Sequence, residues 1–214
     1  MIAKNLKHIL SNIPAEVTLV AVSKTKPNSA IMEAYDAGQR VFGENKVQDL
    51  VAKAEVLPKD IQWHMIGHLQ SNKVKYIAPF VALIHGIDSL KLLKEVNKRA
   101  EKQNRVIDCL LQIHISEEAT KFGLNEAEAI EVLKAAEELN NVSVIGLMGM
   151  ATNTADESIV SKEFTGLKQL FTILQTSNSK LQIISMGMSG DYPLAIEEGS
   201  TMVRVGSAIF GERN

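Results

Sequence analysis

The chain of 214 residues is long enough for one well-filled core, and its 45% hydrophobic and 22% charged residues are ordinary globular values. A formal net charge of −2 gives no reason to expect nucleic acid or an anionic membrane as a partner. A single cysteine cannot close an internal disulfide, which suits a reducing compartment.

The first ten residues are amphipathic and lack the apolar run and small-residue cleavage site of a secretory signal. No later segment approaches the length of a membrane span. Residues 1–214 hold no low-complexity stretch or Pro/Gly-rich linker, so a single domain is expected, cytoplasmic and monomeric.

Short apolar, β-branched runs recur at 17–23, 40–43, 62–67, 81–87, 106–115, 142–148, 181–186 and 201–205. Most are continuously apolar rather than alternating, as strands covered on both faces should be. Between them lie good helix formers. Asp88 and Ser89 precede a helical pattern over 90–103, Asn125 caps an Ala/Glu-rich stretch, and 157–175 carries apolar residues at helical spacing. The alternation of strand and helix predicts a parallel sheet. Eight repeats in a chain of this length point to a TIM-type (β/α)8 barrel with an additional N-terminal helix over its bottom or side. An open doubly wound sheet is the alternative. Cys109 sits inside an apolar run and reads as core.

In such a barrel the chemistry lies at the carboxyl ends of the strands. The first run ends in Ser23-Lys24-Thr25-Lys26, the second in Gly43-Glu44-Asn45, the third in Gly67-His68 and the fourth in Asp88-Ser89. The fifth ends in His114 to Ser116, with Lys121 to Gly123 shortly after, and the sixth in Gly149-Met150. The seventh and eighth end in two small-residue loops, Ser185 to Asp191 and Gly206-Ser207. Glycine lets a backbone N–H approach an anion closely and serine adds a hydroxyl donor, so two such loops in these places predict phosphate binding. Glycines that merely turn the chain are the ordinary alternative.

Lys24 ends an apolar strand at the barrel mouth, where desolvation favours the neutral, nucleophilic amine. Lys26 lies on the same face of an extended chain, and spacing alone does not separate the two. A nucleophilic lysine facing a phosphate site fits a Schiff base with either a sugar phosphate, as in an aldolase, or pyridoxal 5′-phosphate. Arg204, two residues before Gly206, can reach either the phosphate or the ring nitrogen of a bound pyridine, with a phosphate-only contact or a rim salt bridge as the ordinary alternative. Guanidinium cannot act as an acid there, so a nitrogen facing it would stay unprotonated.

Asn45 reads equally as a contact to a cofactor ring oxygen and as the cap of the helix that follows. His64 and His68 would lie ~13 Å apart on an extended strand, too far for one ion, so no metal is expected. His85 and His114 read as interior or rim residues with hydrogen-bond partners. Met148, Met150, Met186 and Met188 either pad a flat ring or fill the core.

The segments 21–27, 42–48, 63–73, 185–191 and 203–211 together resemble the pyridoxal phosphate homeostasis proteins, the YggS-like group, in order and along the whole chain. The resemblance implies a barrel similar to the alanine racemase N-terminal domain, with pyridoxal 5′-phosphate as the cofactor. It implies Lys24 rather than Lys26 as the Schiff-base lysine and Arg204 at the pyridine nitrogen or phosphate. Ser189, Gly206 and Ser207 would hold the phosphate, with Ser185, Met186, Gly187 and Met188 lining it.

The implied role is vitamin B6 homeostasis, with effects on amino-acid and keto-acid balance and delivery of the cofactor to pyridoxal phosphate-dependent apo-enzymes. An amino-acid racemase is the enzymatic alternative. Racemisation needs proton donors and acceptors on both faces of a carbanion. Lys24 would serve one face, neither Tyr35 nor Tyr192 is placed by the sequence across the ring, and a chain ending at Asn214 leaves no second domain to supply one.

Overall fold

Eight short parallel strands close on themselves in the computed structural model, which describes residues 1–118 and 122–212. They are β1 (Thr18–Val22), β2 (Val41–Glu44), β3 (Gln62–Met65), β4 (Leu83–Ile87), β5 (Ile107–Gln112), β6 (Val142–Met148), β7 (Ile183–Ser185) and β8 (Met202–Val205). Each pairs with its neighbour in sequence, and β1 pairs with β8 from Thr18 opposite Met202 to Ala21 opposite Val205. This is the TIM-type (β/α)8 barrel, and the closed order excludes the open doubly wound sheet.

Alternation along the strands separates two apolar regions. Phe42, Leu50, Ile84 and Phe164 pack between barrel and helices, while Val20, Leu83, Leu110, Met148 and Met202 fill the interior. Cys109 belongs to the outer region, and burial pushes its thiol well above the ordinary range, so it is core.

The outer layer comprises α1 (Ile2–Ser11), α2 (Asn28–Asp36), α3 (Val47–Val56), α4 (Val74–Ile77), α5 (Leu90–Glu101), α6 (Glu126–Ala136), α7 (Glu157–Ser177), α8 (Tyr192–Glu197) and α9 (Ser207–Phe210). Ser89 caps α5 by accepting from the Leu92 N–H, and Asn125 forms a capping box with Glu128 at α6. The last helix, α9, has only four residues. The N-terminal helix α1 packs against α9 and α2, buries Leu6 and Ile9, and ties to α9 through the Asn5 amide on the Ile209 carbonyl. It therefore covers the side of the barrel, where a full-length helix after β8 would lie, rather than the bottom. None of the described helices is long and apolar enough to cross a membrane.

Candidate functional site

In β1, Val20 and Val22 point into the barrel while Leu19 and Ala21 point to the helices. Two residues beyond Val22, Lys24 continues the inward register at the mouth. A turn closed by the Lys26 N–H on the Ser23 carbonyl follows immediately. It puts Thr25 at φ 65°, the left-handed region that a β-branched residue rarely adopts. The chain is therefore not extended past Lys24, and Lys26 does not share its orientation. The Lys26 ammonium donates to the carbonyls of Gly211 and Glu212, at 3.0 and 2.8 Å.

Lys24, Asn45, Met188, Ser189, Arg204, Gly206 and Ser207 line one cavity of about 340 Å³ at the carboxyl end of the strands. Val22, Ile66 and Met150 supply apolar wall, and Lys26, Gly190 and Gly211 complete the rim. Three cationic side chains and no carboxylate line this space, a field that favours an anion.

The two small-residue loops meet at one point. The Ser189 hydroxyl accepts from the backbone N–H groups of Gly206 and Ala208, at 3.1 and 3.4 Å. These two bonds tie the loop after β7 to the loop after β8 and set Ser189, Gly206 and Ser207 together at the cavity wall. In the preceding loop, Gly187 has φ 94° and its carbonyl accepts from the Arg204 N–H at 2.9 Å, joining loop to strand. An added Cβ there would lie 2.6 Å from the Ala195 Cβ, so Gly187 is required by both conformation and space.

Three of the residues expected along the phosphate are not among those lining this cavity. Met186 is wholly buried among the helices, Gly187 packs on α8, and Ser185 is wholly buried inside the barrel. There the Ser185 hydroxyl and carbonyl accept from the same Arg204 nitrogen, Nη1, at 2.6 and 2.8 Å. Arg204 Nη2 donates to the Gly149 carbonyl at 3.0 Å. Burial lowers the Arg204 pKa to about 10, opposed by the charge of Asp191, so the guanidinium stays protonated at neutral pH.

Asn45 does not cap α3; the cap position is Lys46, with no side-chain hydrogen bond. Asn45 faces the cavity instead. His85 faces the interior, with Nδ1 3.1 Å from the Ser185 hydroxyl and Nε2 3.0 Å from His64 Nδ1. Burial lowers the pKa of His64 to about 3 and that of His85 well below the ordinary value, His64 and Arg204 adding to the latter. His68 lies at the rim, 3.2 Å from Asp88 and stacked on Phe122. His114 is exposed, with Nε2 3.1 Å from the Glu118 carbonyl. No group of three or more histidine, cysteine, aspartate or glutamate residues suited to a metal occurs among the described residues. Lys121 lies outside the described residues.

A closed parallel barrel with a lysine ending its first strand and an arginine in its eighth defines a class. The family model described as alanine racemase, N-terminal domain, matches residues 1–214. Within that class, the pyridoxal phosphate homeostasis protein of Vibrio alginolyticus is 42% identical over a 228-residue alignment that covers 100% of this chain and 98% of the relative. The protein of that name from Escherichia coli K12 is 43% identical over 208 residues, covering 94% and 88%. The chain belongs to the pyridoxal phosphate homeostasis protein family. Among solved structures, PipY of Synechococcus elongatus with PLP bound superposes with a TM-score of 0.91 at 36% identity, covering 99% of this chain and 100% of PipY. Alanine racemase of Clostridium difficile shares the fold, with a TM-score of 0.82 at 14% identity, and this chain covers 56% of it.

Proposed function

We propose that this chain binds pyridoxal 5′-phosphate reversibly in the cavity at the barrel mouth, as a Schiff base on Lys24. On this reading it serves vitamin B6 homeostasis in the cytoplasm, as a monomeric single domain. It limits the free aldehyde and releases it to apo-enzymes, with effects on amino-acid and keto-acid balance. One observation carries the proposal: an inward-facing lysine, a buried arginine and the small residues Ser189, Gly206 and Ser207 open onto the same 340 Å³ space. The names of the family's members and the PLP-bound PipY structure support it.

The residues fit the group's chemistry. When bound, the cofactor would supply a reactive aldehyde, and Lys24 would supply the amine that holds it, with water as the leaving group. Ser189, Gly206 and Ser207, brought together on the cavity wall, would receive the phosphate. Ile66 and Met150 offer flat apolar contact to the ring, and Arg204 presents donors to the ring nitrogen. A guanidinium there leaves that nitrogen unprotonated and the ring a weak electron sink.

The cavity favours a carrier over a racemase. None of the chain's three tyrosines lines it, and the Tyr35 hydroxyl bonds Asp60 outside the barrel. No tyrosine is therefore present among the lining residues as a second acid–base group, and the Lys26 ammonium is held by the Gly211 and Glu212 carbonyls. The test is a titration of cofactor-free protein with pyridoxal 5′-phosphate, beside a ketose phosphate. A saturable visible band with the first and no binding of the second is expected, with no turnover-rate exchange of an amino acid's α-proton into deuterium oxide. A protein that stays colourless yet cleaves the ketose phosphate would overturn the reading in favour of an aldolase.

A further inference from the structure

Four polar side chains cross the barrel beneath the cavity in one line. Arg204 of β8 bonds Ser185 of β7, Ser185 bonds His85 of β4, and His85 bonds His64 of β3, at 2.6, 3.1 and 3.0 Å. All four are buried, with exposures of 4, 0, 0 and 5%. Barrel interiors are ordinarily filled by layers of branched apolar side chains. A buried polar chain is favourable only when its members are mutually satisfied, so its geometry is constrained in a way an apolar layer is not.

The direction of every proton follows from one fact: arginine only donates. Arg204 Nη1 fills one lone pair of the Ser185 oxygen. The serine proton then has His85 Nδ1 as its acceptor. With Nδ1 accepting, a neutral His85 carries its proton on Nε2 and donates to His64 Nδ1, which leaves His64 also protonated on Nε2. The reverse order would strand the serine proton. The low basicity of both imidazoles under burial fits neutral rings.

We propose that His64 and His85 are positioning residues which, through Ser185, fix the Arg204 guanidinium in one orientation toward the cofactor ring. The role rests on the cofactor reading above. Ser185 and Gly149 occupy three of the five guanidinium N–H groups, two on Nη1 and one on Nη2, and this leaves two for a ligand. Because the chain ends in donors at the cavity, it selects a ligand atom that accepts: an unprotonated pyridine nitrogen and not a pyridinium.

Two measurements test the proposal, and the first needs no ligand. Long-range ¹H–¹⁵N spectra of histidine-labelled protein at pH 7 should give two buried, neutral rings, both protonated on Nε2. An Nδ1–H tautomer or an imidazolium at either position overturns the chain's direction. In the second, His85→Leu should bind pyridoxal 5′-phosphate about tenfold more weakly, as loss of one charge-assisted contact implies. It should also shift the visible maximum of the bound chromophore, with borohydride still labelling Lys24. His85→Asn, whose side-chain oxygen can accept from Ser185, should restore the maximum. Unchanged affinity and maximum in His85→Leu overturn the positioning role. A parent protein that takes up no cofactor defeats the cofactor reading itself, and is told apart because the tautomers are read without ligand.

Discussion

Lys53 of α3 donates to Glu44 Oε1 at 2.6 Å and to the Ser23 carbonyl at 2.9 Å, so one ammonium joins the end of β2 to the residue before Lys24. The Ser23 hydroxyl donates to the same Glu44 oxygen at 2.6 Å. Ser23 is thereby held at carbonyl and hydroxyl, on the helix side of the barrel, while Lys24 turns inward. Glu44 is wholly buried and Lys53 only 8% exposed, so removing one partner leaves a charge that water does not reach. Lys53→Met should cost ~3–5 kcal/mol in urea unfolding. Glu44→Leu combined with Lys53→Met should recover much of that stability but bind pyridoxal 5′-phosphate more weakly, because Ser23 is released. A double variant with parental affinity would contradict the bracing role.

Asn45 owes its place at the cavity to Gly67. A Cβ on Gly67 would lie 2.3 Å from the Asn45 carbonyl oxygen and 2.8 Å from its Cα, and neither backbone atom can yield cheaply. Gly67→Ala should therefore lower stability by about 1–3 kcal/mol through overpacking. It should also weaken cofactor binding by displacing Asn45. Equilibrium unfolding and a binding titration on the same sample check both effects, and a neutral substitution would contradict the close approach.

The two buried histidines set an acid sensitivity. Burial depresses both folded-state values below the ordinary 6.5, to about 3 for His64. Between about pH 3 and 6.5 the unfolded chain therefore binds protons that the folded chain refuses. Stability is full above pH 6.5 and falls as the pH drops through that window. At pH 5.5 His64 should cost about 1.4 kcal/mol relative to pH 7.5, with His85 acting in the same direction. Urea midpoints at the two pH values measure the loss, and His64→Leu should reduce the difference. Stability that rises toward pH 5.5 would contradict neutral burial.

Lys26 reaches the cavity's edge but spends its ammonium on the carbonyls of Gly211 and Glu212. Lys26→Met should keep the visible band of the bound cofactor. Its effect should appear as earlier proteolysis of the segment after α9, which loses both contacts. Loss of the band with an intact chain would reassign the nucleophile.

The parallel sheet was legible because eight continuously apolar runs need cover on both faces, and eight repeats in a chain of this length pointed to its closure as a barrel. Lys24 and the loops after β7 and β8 were legible for the same reason, as polar residues ending apolar strands. The pairing of Arg204 with Ser185, and of His85 with His64, was not. These contacts join positions 19 and 21 residues apart, and Ser185 meets His85 across 100, so they depend on strand register and barrel closure. Ser185 accordingly read only as lining for the phosphate, and its bond to Arg204 went unseen. Lys26 was equally hidden, because Thr25 turns the chain in a conformation its residue type does not advertise.

The most direct test of the central claim is peptide mapping after borohydride reduction of the protein loaded with pyridoxal 5′-phosphate. The account predicts one phosphopyridoxyl label, on the peptide containing Lys24, and its loss in Lys24→Ala along with the visible band. A label on Lys26 or on another lysine, with Lys24 unmodified, would contradict it.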